Sequence, residues 1–525
     1  MKHYFSTLCS DRRVRTALLW TFVFSFIAHG YRWFNAGFSH DSLAVLQHGN
    51  LWQVSIGRFL VPFYLMFRGK IAIPWLIAIL SVAFLSLSIV LIVKLLGIKR
   101  QLHIVLLCGV LSTCPTLIAL HSTYIQWADI QMLSLLFSVI SVWLAERYKR
   151  GWIAAGVTFA MSLALYQSYS QAAVTLVLLM LIKGLLTEET YKSLAKRIGR
   201  SAGFMAMGGA LYLIIWKVVK AFTTLLTGLS VDSTGSYNSL SRIGEAGIAA
   251  LPSQVWNTYL SFLEKAFYPN MLNYKIVFPV ALFVVVTAVV LMLRKSSDWR
   301  RLLFTVLALL LLPLGANFVY ILTNGMMHEL MIFPVVLLSA GVLMVLDWYK
   351  EDVPGVINSF KIAAVAGLCF LTFNNTVYAN QCHVKKVLEE QATLSVMTRL
   401  LYHIESVDGY EPGQTPIVLV GDLNRSSIKQ DRIGYETVKT VVGTGNNFSI
   451  TYFESFHDYF RYILAYPVNF VFRDESLRFN KMPEVLEMPS FPHPGCAKMV
   501  GDTLVVRLSE DISRQSVKEH DLNPE

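Results

Sequence analysis

The chain has 525 residues, of which 54% are hydrophobic and 15% charged, and its mean hydropathy is +0.51. Average soluble proteins carry roughly 25% charged residues, and a water-soluble chain of this length would need an implausibly large core to hide so much apolar surface. The formal charge of +11 would point to nucleic acid in a soluble protein, but here the basic residues fall between apolar runs. That is the pattern of loops held on the cytoplasmic side of a membrane, and it argues against a nucleic-acid partner.

Apolar segments near the length of about 20 residues needed to cross a bilayer recur through residue 380. In chain order they are Thr16 to Trp33, Ile71 to Leu96, Leu102 to Leu120, Ile130 to Ala145, Trp152 to Tyr166, Ala172 to Leu186, Ala202 to Phe222, Ile276 to Leu293, Leu302 to Leu322, Leu330 to Leu346 and Ile362 to Tyr378. This predicts an all-α polytopic membrane protein of about eleven helices. The fifth and sixth are separated only by Tyr166-Gln-Ser-Tyr-Ser-Gln171 and could be one bent element, which would reverse everything downstream. Lys2, Arg12, Arg13 and Arg15 precede the first span and set the N-terminus in the cytoplasm. Alternate connections, such as Glu146-Arg-Tyr-Lys-Arg150 and Thr190 to Arg200, are then basic and cytoplasmic. No small-residue cleavage site follows the first span, so it reads as a retained anchor.

Two outward connections exceed simple turns: residues 34–70 and 223–275. The first contains Leu51-Trp-Gln-Val-Ser-Ile-Gly-Arg-Phe-Leu60, a mixture suited to a helix lying in the membrane interface. Outer loops this long commonly carry function. The chain thus divides into a transmembrane part, residues 1–380, and an outer segment, residues 381–525. In the latter, Lys385 to Glu405 has the apolar spacing of an amphipathic helix, and strand-like runs follow at Pro416 to Val420 and Thr503 to Leu508. A small α/β domain outside the cytoplasm is expected. Cys382 and Cys496 fall in it and could form a disulfide or remain two thiols.

Charged groups near a bilayer are expensive unless paired or solvated, so those gathering at the outer face are the candidates for chemistry. Asp41, in Phe38-Ser-His-Asp-Ser-Leu43 with His40 beside it, could serve as a general base; an isolated acid there also serves as a helix cap. Asp129 closes Tyr124-Ile-Gln-Trp-Ala-Asp129 on the same face. The two acids could divide base and orienting roles, or share a divalent cation through oxygen ligands, although the sequence requires no metal and leaves any cofactor unknown. Asp129 would equally favour the N-terminus of the fourth helix. Arg58 in Gly57-Arg-Phe59 is the first choice to hold a phosphate, because guanidinium binds phosphate in a bidentate manner. Arg242 lies on the same side and could assist, while snorkelling toward headgroups is its bland alternative. His328-Glu329 opens the tenth span; the histidine could meet a leaving phosphate while Glu329 orients it or simply caps the helix. No Gly-rich nucleotide loop, Walker sequence, zinc spacing or nucleophile elbow is present.

The opening span with Phe38-Ser-His-Asp-Ser-Leu43, then Trp52-Gln-Val-Ser-Ile-Gly-Arg-Phe-Leu-Val-Pro62, resembles the start of the bacterial and phage Gtr serotype-conversion glucosyltransferases, the type II family. Met488-Pro-Ser-Phe-Pro-His-Pro-Gly495 through Leu508 resembles that family's outer C-terminal segment. The resemblance implies a GT-C-like membrane glycosyltransferase of the bacterial inner membrane, with its C-terminal domain in the periplasm. It implies undecaprenyl-phosphate glucose as donor, lipid-linked O-antigen (the lipopolysaccharide side chain) as acceptor, Asp41 as the catalytic carboxylate and Arg58 as a donor-phosphate contact. Asp129 lacks the Asp-x-Asp pair of metal-dependent relatives. A lipid-linked sugar flippase and an O-antigen polymerase are the alternatives. A periplasm-active reporter fused just after Glu405 should be active and the same reporter after Lys149 silent; the opposite pattern would overturn this topology.

Overall fold

A computed structural model describes residues 10–35, 37–39, 42, 49–71, 73–228, 231, 248–266, 298–323, 325, 327–348, 355–423, 448–450, 453–471 and 474–511. The chain divides into two compact units, one of Met1–Phe34 with Asn50–Gln381 and one of Asn35–Gly49 with Cys382–Glu525.

The first unit is helical. Its elements are α1 (Arg12–Phe34), α2 (Gly49–Ser55), α3 (Leu60–Arg68), α4 (Pro74–Leu96), α5 (Gln101–Ser112), α6 (Pro115–Ser122), α7 (Ala128–Arg147) and α8 (Gly151–Leu165). There follow α9 (Ser170–Leu186), α10 (Tyr191–Thr227), α11 (Leu251–Ala266), α12 (Trp299–Asn317), α13 (Val319–Leu322), α14 (Phe333–Val336), α15 (Leu338–Trp348) and the start of α16 (Gly355–Glu405). Six helices among the described residues are long and apolar enough to cross a membrane, or seven if the bent pair α5–α6 is one span. The chain is mostly helical with a membrane protein's apolar spans. The expected first span forms α1, which carries Arg12, Arg13 and Arg15 at one end and His29 and Arg32 at the other and is not among those six. The expected span Ile276 to Leu293 lies outside the described residues, as does most of the 223–275 connection.

Local chemistry explains where helices start, stop and bend. Pro74 opens α4 and Gly97, at φ 74°, closes it by donating its N–H to Val93, the expected asymmetry of helix ends. The predicted span Leu102 to Leu120 is instead two helices bent by 46°. Pro115 has no N–H to give and drives Cys114 into extended backbone, at ψ 159°. Tyr166 is likewise extended (φ −160°, ψ 108°), and a 3-10 turn at Gln167–Tyr169 follows it. The fifth and sixth predicted spans are therefore separate helices.

Small residues let the helices approach closely, as is usual where lipid supplies no hydrophobic drive. On α7 and α8, Ser134 donates to the Ser162 carbonyl (2.9 Å) and Ser162 returns a bond to that of Ser134 (2.8 Å). A Cβ on Gly208 of α10 would sit 2.6 Å from the Gly156 carbonyl of α8. Leu51 to Leu60 is not one helix: α2 ends at Ser55 and α3 begins at Leu60, Val54, Ile56 and Phe59 are buried, and the Trp216 indole donates to the Val54 carbonyl at 2.7 Å.

The second unit holds a four-stranded sheet ordered β2-β1-β4-β3, from β1 (Pro416–Val420), β2 (Asn469–Phe470), β3 (Ala497–Val500) and β4 (Thr503–Arg507). β1 runs parallel to β2 and β4, and β3 is antiparallel to β4. Alternation along β1 covers both faces: Ile417 and Leu419 pack with Met397, Leu400 and Ile404 of α16, and Val418 and Val420 with Phe479, Val485 and Met488. The sequence suggests a break between a last span and an amphipathic helix, but α16 is continuous for 51 residues. Neither glycine nor proline occurs from Leu368 to Glu405 to stop it. Within this unit Lys386 pairs with the buried Glu389 at 2.5 Å, and Cys382 and Cys496 are both buried and are not joined in a disulfide.

Back in the first unit, Asp347 at the end of α15 accepts the N–H groups of Lys99 (2.9 Å) and Arg100 (2.8 Å) where α5 begins, and faces His103 Nδ1 at 3.0 Å. Asp347→Ala leaves those N–H groups without their acceptor and should destabilise the helix end by about 1–2 kcal/mol, read as a lower thermal midpoint in detergent. An unchanged midpoint would show the clasp to be idle.

Candidate functional site

The segment after α2 is built around one glycine. Gly57 has φ +86°, and a Cβ there would lie 2.1 Å from the Tyr212 hydroxyl and 2.9 Å from Gln167 Nε2. Both the left-handed backbone and the contact exclude a side chain. Gln167 Nε2 donates to the Ile56 carbonyl at 2.7 Å and to Tyr212 at 3.1 Å. Phe59, Tyr212 and Trp216 stack in succession, with centroids 5.8 and 6.0 Å apart. The turn is thus fixed onto α8, α10 and the 3-10 turn between α8 and α9.

Arg58, carried by this turn, has its guanidinium 4.4 Å from the centroid of the Tyr166 ring. Its backbone N–H donates to Gln53 (2.7 Å), yet its buried Nε has no hydrogen-bond partner and no carboxylate pairs with it among the described residues. A half-buried guanidinium held only against an aromatic face is a cation without its anion.

Asp129 has the opposite character. It is completely buried. Its Oδ2 accepts from the Tyr64 hydroxyl at 2.9 Å and lies 3.2 Å from Arg68 Nε, and its Oδ1 accepts from the Ile130 N–H at 2.9 Å. Arg68 also donates to the Gln126 carbonyl at 2.8 Å. Burial pushes the Tyr64 phenol well above its ordinary pKa and the Asp129 charge adds to this, so the hydroxyl stays a donor. These bonds pin α3 to the start of α7. A divalent ion at Asp129 would have to displace donors from both oxygens, and among the described residues no group of three or more metal-ligating side chains gathers.

Glu329 opens a 3-10 turn, Glu329–Met331, which is packed on α6 by the Thr116 hydroxyl bonding to the Glu329 carbonyl at 2.7 Å. His328 immediately precedes it and is half-buried. Gln171, fully buried, donates to the Met331 carbonyl (3.2 Å) and accepts from the Val319 N–H (3.1 Å). The Tyr166 and Tyr169 rings are 5.8 Å apart, the Tyr169 hydroxyl donates to Gln131 at 3.4 Å, and its ring lies 5.9 Å from Phe333. The Tyr166 and Tyr169 rings thus connect Arg58 to Gln131 of α7 and to Phe333 of α14, whereas Asp129 is held by Tyr64, Arg68 and Ile130. His40, Asp41 and Arg242 lie outside the described residues; Ser39 and Ser42 beside them bond mutually, the Ser39 N–H donating to Ser42 Oγ at 2.8 Å.

Residues 30–346, which hold these groups, match the sequence description of the glucosyl transferase GtrII family. The chain belongs to that family. It is a glucosyltransferase, as the type II resemblance in the sequence anticipated. No curated protein matches the chain, and no solved structure does. Sequence reasoning passed over Tyr64, Arg68, Tyr166 and Gln167. The clue was the polar run Tyr166 to Gln171 between two apolar spans, an expensive insertion unless its side chains are satisfied.

Removing one member of a buried ion pair strands the other, typically at about 3–5 kcal/mol. Asp129→Ala should therefore lower the thermal midpoint steeply, and Asp129→Leu combined with Arg68→Met should recover most of the loss. A stable Asp129→Ala protein that has lost transfer alone would instead give this carboxylate a direct chemical role.

Proposed function

We propose that this glucosyltransferase moves a glucosyl residue from undecaprenyl-phosphate glucose to lipid-linked O-antigen on the periplasmic face of the inner membrane. The observation that carries this reading is Arg58: a guanidinium stacked on Tyr166, with no acid to neutralise it among the described residues, in a chain of glucosyltransferase type. A phosphate-linked donor supplies the missing anion. Apolar helices suit a substrate whose carrier stays in lipid, and a GT-C-like body of residues 1–380 with an outer domain of residues 381–525 accommodates an acceptor arriving from the periplasm.

In the proposed reaction Asp41 takes the proton of the acceptor hydroxyl as its oxygen attacks the anomeric carbon. The bond from that carbon to the phosphate oxygen breaks, and the electron pair leaves with the polyprenyl phosphate. Arg58, with His328 and Arg242, balances the charge on the departing phosphate; His40 orients Asp41 and Glu329 orients His328. Asp129 acts by holding α3, and through it the Arg58 turn, in place.

The bent pair α5–α6 is the feature that favours a flippase, since transporters often use broken helices; the family match favours transfer. A positioned base contributes about 10²–10⁴-fold in rate. Asp41→Asn should thus lose at least about 100-fold in transfer while membrane expression is kept, assayed by complementing a deletion strain and analysing glycan linkage. Near-normal transfer would remove Asp41 from the mechanism. Labelled sugar crossing the membrane without joining a glycan would favour transport, and altered chain-length laddering would favour polymerisation.

A further inference from the structure

The end of α6 and the turn between α6 and α7 contain hydrogen-bonding groups that the protein leaves unused. The Trp33 indole donates to His121 Nδ1 at 3.2 Å. An indole N–H can only donate, so Nδ1 must accept, and the neutral ring carries its proton on Nε2. That N–H is buried and has no partner; His121 as a whole is 0% exposed. The ring cannot turn to relieve it, because His29 stacks on it at 4.5 Å and 17°, and His29 Nε2 is itself fixed on the Ser112 carbonyl at 2.9 Å.

Five residues on, across the same turn, Gln126 is 1% exposed, and both its Oε1 and its Nε2 lack partners. Its neighbour Ile125 packs against Trp33, and its carbonyl takes the Arg68 bond that ties α3 down. A buried polar group without a partner costs about 1–3 kcal/mol. Two donors and an acceptor around one turn are therefore a costly arrangement unless something else completes them. Neither His121 nor Gln126 faces an opposite charge, so the complement is neutral and must both accept and donate. Hydroxyl groups do so, and a buried amide beside a ring donor is suited to a polyol.

We propose that His121 and Gln126 bind hydroxyls of the glucosyl group of the donor. This rests on the donor reading above, and it assigns sugar recognition to residues separate from those that hold the phosphate. Loss of a sugar hydroxyl would leave the buried amide unpaired, so the site would discriminate among hexoses more strongly than an apolar pocket could.

The test uses the full-length protein in detergent–lipid micelles with two probes, polyprenyl-phosphate glucose and the same polyprenyl phosphate without sugar. Gln126→Met keeps side-chain volume and strands no protein group. It should weaken binding of the glucosylated lipid about tenfold, leave binding of the bare lipid phosphate unchanged, and leave the thermal midpoint unchanged or raised. The double variant Trp33→Phe with His121→Phe, which removes the donor and its partner together, should show the same selective loss. Arg58→Met should weaken both lipids. If the wild-type protein prefers the glucosylated lipid and both variants keep that preference, the polar turn holds only water and the proposal falls. If the wild type has no such preference, the donor reading itself falls and takes the proposal with it.

Discussion

A carboxylate withdrawn from water and a guanidinium beside it decide the geometry of the outward-predicted segment. Asp129 and Arg68 neutralise each other's charge where neither could stand alone, with Tyr64 donating to the carboxylate and Arg68 donating to the Gln126 carbonyl. Because Arg68 closes α3 and Asp129 opens α7, one interaction fixes a short helix that its own few residues could not stabilise in isolation. The Gly57 turn, fastened by Gln167, Tyr212 and Trp216, then presents Arg58 at a set position.

Against this, the arrangement of satisfied and unsatisfied groups has meaning. Structural polar contacts in the bundle are closed: Ser134 with Ser162, Gln171 with Met331 and Val319, Asp347 with the N–H groups that open α5. Arg58, His121 and Gln126 are open. In an apolar surround, open groups are costly; those of Arg58, His121 and Gln126 stand at turns and helix ends, while others, such as Ser81 of α4 and Asn375 of α16, lie along the long helices.

The glucosyltransferase assignment came from residue order near the N-terminus, which the family match over residues 30–346 bears out. The polar break at Tyr166 to Gln171 was also visible, because polar residues interrupting an apolar run stand out whatever they contact. The role of Asp129 was not. An acid at a helix start reads alike whether it meets solvent, substrate or an arginine 61 positions earlier in the chain. Nor was the unity of α16, since a change from apolar to amphipathic spacing marks a change of surroundings and not of backbone.

Sequence alone determined the apolar spans, the helical class and the strand runs of the C-terminal segment, because hydropathy and periodicity are properties of neighbouring residues. The bend at Pro115 and the turn at Gly57 were not read from it, although in each one residue's covalent geometry bears on the backbone. Tertiary structure alone decided that Asp129 is paired while Arg58 is not, which nitrogen of His121 carries its proton, and which amides remain unsatisfied. Those outcomes depend on side chains from distant helices meeting in space, and no local pattern encodes such meetings.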